Sequence, residues 1–218
     1  MRQYELYFFD FDGTLVDTSK GVHHCFDLAA QELGMSMGGP ERFEGVIGGP
    51  LKEGFSKGYG VPEHLLEQAV ALYRKYYSEV GIHECQLYPG IIPLLKLLKE
   101  QGKKIAVATL KQQVTTEEML NDFHLLQYMD GVYGPDAREK DTKASLLERG
   151  LEDLKVEKEK SVLVGDSIYD AQGAQQVNMD FIGVAYGLGF HNIEEIKQGY
   201  YTYAVENLDQ IQESLISK

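Results

Sequence analysis

Five short, mostly apolar runs along the chain have the length and composition of strands that are buried on both faces of a sheet. They cover residues 4–9, 104–109, 131–133, 161–164 and 180–184. Helical patterns separate them, over residues 91–101, 114–121, 143–149 and 168–177. A weaker strand near residues 201–205 and a last helix from Asn207 follow. This alternation predicts right-handed βαβ crossovers, and therefore an α/β fold built on a doubly wound parallel sheet.

One stretch interrupts the alternation. Between Asp17 and Tyr88 no run has a strand pattern, and amphipathic helical patterns lie near residues 19–33, 40–58 and 62–80. The pattern predicts an all-helical insertion on the first strand-to-helix connection. We therefore expect a core of residues 1–17 and 89–218 and a helical cap of residues 18–88. Ligands of open α/β sheets bind outside the carboxyl ends of the strands, so an insertion that leaves from that edge can act as a lid.

The composition is that of a globular, acidic protein. Of 218 residues, 43% are apolar and 25% charged, and 21 basic against 34 acidic residues give a formal net charge of −13. This balance disfavours nucleic acid or an anionic membrane surface as the main partner. No apolar run reaches the roughly 18–20 residues of a membrane span, and the first residues carry acids where a signal peptide needs an apolar core. Cys25 and Cys85 are too few for a disulfide framework, so we expect two buried, reduced thiols in a cytoplasmic protein.

Charged and hydroxyl side chains collect at one end of the predicted sheet. They are Asp10, Asp12, Thr109, Lys143, Asp166 and Asp170. The acids follow the first and fourth strands, the threonine follows the second, and the lysine opens the helix before the fourth. Clustered carboxylates in a dry site repel one another unless a cation joins them, and an all-oxygen site fits Mg²⁺. A lysine and a hydroxyl beside that ion would suit the remaining oxygens of a phosphoryl group.

Four motifs stand in order along the chain: DFDGTLVD at residues 10–17, Thr109, Lys143 and GDSIYD at residues 165–170. In this order, and on these elements, they resemble the motifs of the haloacid dehalogenase superfamily. The helical insertion is similar to that family's C1-type cap. GGPLKEGF at residues 48–55 and GVAYGLG at 183–189 resemble segments of its phosphoglycolate-phosphatase-like and 5′-nucleotidase-like branch. The likeness covers essentially the whole chain and implies a Rossmann-like core.

The resemblance implies a role for each matched acid. Asp10 would be the nucleophile that forms an aspartyl-phosphate. Asp12 would be the acid that protonates the leaving group and then the base that activates water. Mg²⁺ would be held by Asp10, the backbone carbonyl of Asp12 and Asp166. Asp170 would bind the ion directly or hold a group that does.

The resemblance also implies which groups hold the phosphoryl oxygens. Thr109 and Lys143 would bind the transferring phosphoryl group, helped by backbone amides near Gly13 and at Leu110. Gly13 would also give the tight turn after the second acid its backbone freedom. Lys140 lies three residues before Lys143 and is the alternative contact to phosphate.

The resemblance favours hydrolysis of a small phosphorylated metabolite, either phosphoglycolate-like or a nucleoside 5′-monophosphate. The family's dehalogenases lack an acid at the position of Asp12, so the presence of Asp12 in this chain points to phosphoryl transfer. Its sugar phosphomutases add a cap histidine and an arginine, whereas this chain has Val22 at the register of that histidine and no arginine around Gly49. A phosphomutase stays open as the alternative, as does a non-catalytic phosphoryl-binding module like the receivers of phosphorelays.

Substrate contacts would come from the cap, where the sequence is least informative. The cationic candidates are Lys20, His23, Arg42, Lys52 and Lys57. Phe43, Phe55 and Tyr59 would either stack on a nucleobase or pack inside the cap, and packing is the favoured interpretation. We expect no nucleic-acid or membrane partner, and a monomer or homodimer.

Overall fold

The computed structural model describes residues 1–35, 49–136 and 141–216. Its strands are β1 (Leu6–Phe9), β2 (Val16–Asp17), β3 (Gln86–Leu87), β4 (Lys104–Ala108), β5 (Gly131–Tyr133), β6 (Ser161–Gly165), β7 (Asp180–Val184) and β8 (Tyr203–Val205). Its α-helices are α1 (Ser19–Glu32), α2 (Leu51–Glu53), α3 (Leu66–Glu79), α4 (Ile91–Glu100), α5 (Gln113–Asp122), α6 (Lys143–Leu154), α7 (Ile168–Val177), α8 (Ile193–Lys197) and α9 (Asp209–Ile216). A π-helical turn, Gly54–Gly58, continues α2.

Six strands form one parallel sheet in the order β5-β4-β1-β6-β7-β8. The central strand β1 pairs in parallel with β4 and β6, so that Phe9 lies level with Val107 and Val164. The chain order reverses at β1, and the carboxyl ends of these three strands meet at one edge of the sheet. Ligands bind at such a switch point in open α/β sheets. The predicted doubly wound parallel sheet is confirmed.

Alternate side chains of the sheet belong to two separate hydrophobic clusters. Phe9 and Val107 join the cluster that contains side chains of α4, α5 and α9. Phe8 and Ala106 join the one that contains side chains of α6, α7 and α8. All four residues are fully buried. Because both faces are covered, the strands read in the sequence as continuous apolar runs rather than as alternating ones.

Helices fill the described part of the insertion, and aromatic side chains hold them together. The ring centroid of Phe26 on α1 lies 4.5 Å from that of Phe55, 5.8 Å from that of Tyr59 and 4.8 Å from that of Tyr73 on α3. Phe55 and Tyr59 are 0% and 4% exposed. Packing inside the cap, the favoured interpretation of these two aromatics, is therefore confirmed.

The structure corrects the expectation that no strand lies between Asp17 and Tyr88. β2 and β3 form an antiparallel ribbon, with Val16 opposite Leu87, where the chain enters and leaves the insertion. Strands of two residues are too short to show an alternating pattern in a sequence. Two element ends also differ from the prediction: α6 continues past residue 149 to Leu154, and β8 begins at Tyr203.

Cys25 and Cys85 are free thiols, as expected, but only Cys25 is buried, and Cys85 is half-buried. In the ranges that the structure describes, no helix combines the length and apolar character needed to cross a membrane. Arg42, Phe43 and much of the predicted helix at 40–58 lie outside the described residues. The division into a core and a cap of residues 18–88 stays a prediction.

Candidate active site

Three buried aspartates meet at the carboxyl ends of the central strands. Asp10 follows β1, Asp166 follows β6 and Asp170 lies in the first turn of α7, and one carboxylate oxygen of each lies within 4.8 Å of the others. Their exposed fractions are 3%, 2% and 0%. Burial raises the pKa of Asp10 and of Asp166, and the nearby charge of Asp170 raises both further. The cluster therefore favours a positive charge beside it.

Lys143 supplies positive charge to this cluster. Its Nζ lies 2.6 Å from Asp10 Oδ1 and 2.7 Å from Asp170 Oδ1. It also donates to the carbonyl oxygen of Ala108 at 2.8 Å. Burial disfavours the charged amine, but the two carboxylates outweigh that effect and raise its pKa. Lys140, the alternative contact to phosphate, lies outside the described residues.

Two neighbours fix the path of the Lys143 side chain. Thr142 caps α6, and its hydroxyl accepts a hydrogen bond from the N–H of Ser145 at 3.2 Å, so the lysine enters as the first residue of a well-capped helix. A Cβ on Gly173 of α7 would lie 2.4 Å from Cγ of Lys143. The glycine therefore leaves the space through which the lysine reaches the acids. The sequence predicted the lysine but not this glycine.

Asp166 is held by groups from two loops. Thr14 Oγ1 donates to Asp166 Oδ1 at 2.9 Å, and the N–H groups of Leu188 and Gly189 donate to Oδ2 at 2.8 and 3.0 Å. Gly13, with φ of +83°, passes so close that a Cβ there would lie 2.2 Å from Asp166 Oδ2. Thr14 and the two amides are not among the predicted site residues. The sequence signals that could have identified them were the motif DFDGTLVD, which contains Thr14, and the segment GVAYGLG, which contains Leu188 and Gly189.

The three acids fit a hard divalent cation. Within the described cluster, three buried carboxylates stand against the single ammonium of Lys143, which leaves net negative charge in a dry site. Ser167 donates its N–H and its hydroxyl to Asp170 Oδ2 at 3.0 and 2.6 Å, which orients that carboxylate. Carboxylate oxygens are the donors that hard divalent ions prefer. The cluster can therefore hold a metal ion.

A cavity of about 850 Å³ opens beside the cluster. Asp10, Asp12 and Thr109 line it from the sheet edge, and side chains of α1 and α3, including Phe26 and Tyr77, line it from the insertion. The acids at the end of β1 thus face a space that the helices of the insertion cover. A reaction in such a space is partly shielded from water.

The residues predicted to hold phosphate lie at or next to this cavity. Thr109 is buried, and its Oγ1 accepts a hydrogen bond from the N–H of Lys111 at 3.2 Å. Leu110 is half-buried and lines the cavity. The N–H of Gly13 donates to the carbonyl oxygen of Val16 at 2.8 Å, so this amide serves the turn itself. The roles of these groups toward phosphate stay predictions.

Lys111 is a site residue that the sequence did not single out. Its Nζ lies 3.0 and 3.3 Å from the two carboxylate oxygens of Asp12 and donates to the hydroxyl of Tyr77 at 2.8 Å. The side chains of Lys111 and Asp12 are only 9% and 13% exposed. The sequence signal that could have identified Lys111 was its position two residues after Thr109, at the carboxyl end of a predicted strand.

Of the four cationic cap candidates that the structure describes, one lies in the described lining of the cavity. Lys52 lines the cavity and forms an ion pair with Glu67. Lys57 is exposed, pairs with Glu53 at 3.4 Å and lies outside that lining. Lys20 is exposed, pairs with Glu84 at 3.3 Å and lies outside that lining. His23 also lies outside it, and burial lowers its pKa. Lys20 and His23 lie outside the lining because both belong to α1, and this helix turns apolar side chains toward the cavity.

A family model described as haloacid dehalogenase-like hydrolase matches residues 7–184. The match spans most of the chain and includes the central strands and the acid cluster. The chain belongs to the haloacid dehalogenase-like hydrolase family. The resemblance seen in the sequence is therefore confirmed.

Individual relatives carry several names. A 5′-nucleotidase of Pseudomonas aeruginosa is 32% identical over 182 residues, which cover 83% of this chain and 82% of the relative. A phosphoglycolate phosphatase of Aquifex aeolicus is 30% identical over 169 residues, covering 77% of this chain and 78% of the relative. The solved structure of Protein Tyrosine Kinase A of Mycobacterium tuberculosis has a TM-score of 0.83 and 28% identity, covering 99% of each chain. The same fold thus occurs in relatives named for different phosphoryl reactions.

Proposed function

We propose that the protein is a Mg²⁺-dependent phosphatase that hydrolyses a small phosphomonoester through an aspartyl-phosphate on Asp10. The observation that carries the proposal is the ammonium of Lys143 between Asp10 and Asp170, inside a buried acid cluster at the wall of a covered cavity. A nucleophilic carboxylate needs cations around it to accept an anionic phosphoryl group. Relatives named 5′-nucleotidase and phosphoglycolate phosphatase support the phosphomonoester class.

In the first half-reaction, an Oδ atom of Asp10 attacks phosphorus as the bond to the leaving oxygen breaks. Asp12 gives its proton to that oxygen, so the alcohol leaves neutral. Lys143 and Thr109 bind the oxygens of the transferring group. Lys143 also holds Asp10 in place through its 2.6 Å contact to Oδ1.

In the second half-reaction, Asp12 takes a proton from the water that attacks the phosphorus of the aspartyl-phosphate. The phosphorus–oxygen bond to Asp10 breaks, inorganic phosphate leaves, and the carboxylate is restored. Asp10, Asp166, Asp170 and the backbone carbonyl of Asp12 would hold the metal. When bound, Mg²⁺ neutralises charge on the phosphoryl oxygens.

The substrate proposal remains a small phosphorylated metabolite, phosphoglycolate-like or a nucleoside 5′-monophosphate. The cavity of about 850 Å³ has room for either. Lys52 at its wall can attract an anionic substrate. Phe55 and Tyr59 are buried against Phe26, so a nucleobase would have to contact other residues.

Phosphate release from a panel of phosphomonoesters, with and without Mg²⁺, tests this proposal. We expect Mg²⁺-dependent turnover that falls by at least about 10³-fold in Asp10→Asn, because that change removes the nucleophile. Asp153→Asn removes an exposed carboxylate of α6 and should keep wild-type turnover.

Three outcomes would contradict the phosphatase. One is no phosphate release from folded protein on any compound of the panel. Another is conversion of a hexose phosphate to its isomer instead of hydrolysis, which would identify a phosphomutase. The third is transfer from ATP to a tyrosine peptide without hydrolysis of any phosphomonoester.

A further inference from the structure

Lys111 links Asp12, which is proposed to act first as the acid and then as the base, to the helical insertion. The Nζ of Lys111, at the end of β4, contacts both carboxylate oxygens of Asp12 and the hydroxyl of Tyr77 on α3. The ammonium also lies 4.0 Å from the centroid of the Tyr77 ring, where a cation is favoured. One side chain thus touches both walls of the cavity.

Tyr77 is held firmly enough to anchor this lysine. The residue is 4% exposed, and its ring packs so tightly that a Cβ on Gly81 would lie 2.6 Å from it. Its hydroxyl also lies 3.9 Å from Sδ of Met119 on α5. The position of Lys111 therefore depends on the position of α3 over the sheet.

We propose that Lys111 is a positioning residue for Asp12, and that Tyr77 holds it in place. This inference rests on the proposed function, in which Asp12 protonates the leaving oxygen. The amine fixes both oxygens of the carboxylate at 3.0 and 3.3 Å, and its charge stabilises the negative charge that develops on Asp12 as the proton departs. Because Tyr77 belongs to the insertion, the acid is fully oriented when the insertion lies over the cavity.

The leaving group separates this role from a merely structural one. An alkoxide needs a proton in order to leave, whereas p-nitrophenolate is a stable anion that leaves without one. The ratio kcat/KM covers the steps through formation of the aspartyl-phosphate, so later hydrolysis does not mask the effect. We expect Lys111→Met to lower kcat/KM for an alkyl phosphate by about 10²-fold. The loss for p-nitrophenyl phosphate should be smaller by at least about tenfold.

Tyr77→Phe provides a second variant that keeps the ring and removes only the hydroxyl that contacts Lys111. It should show the same preference for p-nitrophenyl phosphate with a smaller loss, about tenfold on the alkyl phosphate. The loss is smaller because only the contact to the Tyr77 hydroxyl is removed, while both contacts of the lysine to Asp12 remain. Two changes serve as controls. Tyr76→Phe removes a hydroxyl that contacts Glu32 outside the cavity lining, and Lys96→Met removes an exposed charge from α4.

Equal losses on the two substrates in Lys111→Met and Tyr77→Phe would overturn the positioning role, since a structural defect lowers both rates together. A large drop in thermal stability cannot imitate the expected result, because the ratio between the substrates is the readout. The wild type, measured in the same assay, tests the phosphatase itself. Turnover by the wild type with equal losses in the variants would thus reject Lys111 as a positioning residue and keep the proposed function.

Discussion

Gly187 lies where no side chain fits beside the acid cluster. A Cβ on this residue would lie 2.3 Å from Cβ of Asp166 and 2.5 Å from the carbonyl oxygen of Gly13. Both contacts are far shorter than real Cβ atoms allow, and one of them involves backbone that cannot easily move. Asp166 can therefore occupy its position only because residue 187, in the loop that follows β7, has no side chain.

Replacing Gly187 by alanine should displace Asp166 and reduce stability. We expect Gly187→Ala to lower the free energy of unfolding by about 1–3 kcal/mol, the usual result of overpacking a close contact. Gly199→Ala is the matched control, since its Cβ would meet its nearest neighbour at 3.8 Å. Urea unfolding measures both variants. A Gly187→Ala protein as stable as the control would show that this contact is not tight.

At the scale of elements, helix caps fix the site side chains. Ser167 caps α7 in a reciprocal arrangement with Asp170: the Ser167 hydroxyl accepts from the Asp170 N–H at 3.4 Å and donates to its carboxylate at 2.6 Å. In a similar way, the cap of α6 precedes Lys143 directly. Two short sequence signals for helix starts therefore also place the charged groups of the cluster.

Removing the cap of α7 should weaken both the helix and the metal site. Ser167→Ala is expected to lower the free energy of unfolding by about 1–2 kcal/mol and to weaken Mg²⁺ binding, because Asp170 loses the hydroxyl that orients it. Asn192→Ala, which removes a cap at α8, should cost some stability and leave Mg²⁺ binding unchanged. Calorimetric titration with Mg²⁺ compares the two. Equal Mg²⁺ affinity in both variants would contradict the role of Ser167 in orienting Asp170.

At the scale of the whole molecule, the sequence predicted best what depends on contiguous patterns. An apolar strand that ends in Asp10 and a helix that begins at Lys143 are visible in short windows, so the sheet and these two residues could be predicted. The contact of Lys111 with Tyr77 could not, because it joins residues 34 positions apart on separate elements. The ribbon of β2 and β3 has too few residues to leave a pattern. Charge alone did not tell which cap cations turn toward the cavity, and Lys20 turns away.

Trapping the covalent intermediate shows whether Asp10 carries the phosphoryl group during turnover. The protein is mixed with its best phosphomonoester and Mg²⁺, quenched, and treated with borohydride, which reduces an acyl phosphate to an alcohol and so converts aspartyl-phosphate to homoserine. Peptide mass spectrometry then locates the change. We expect homoserine at position 10 in the wild type and none in Asp10→Asn. Turnover without modification of Asp10, or modification of Asp166 instead, would contradict this expectation.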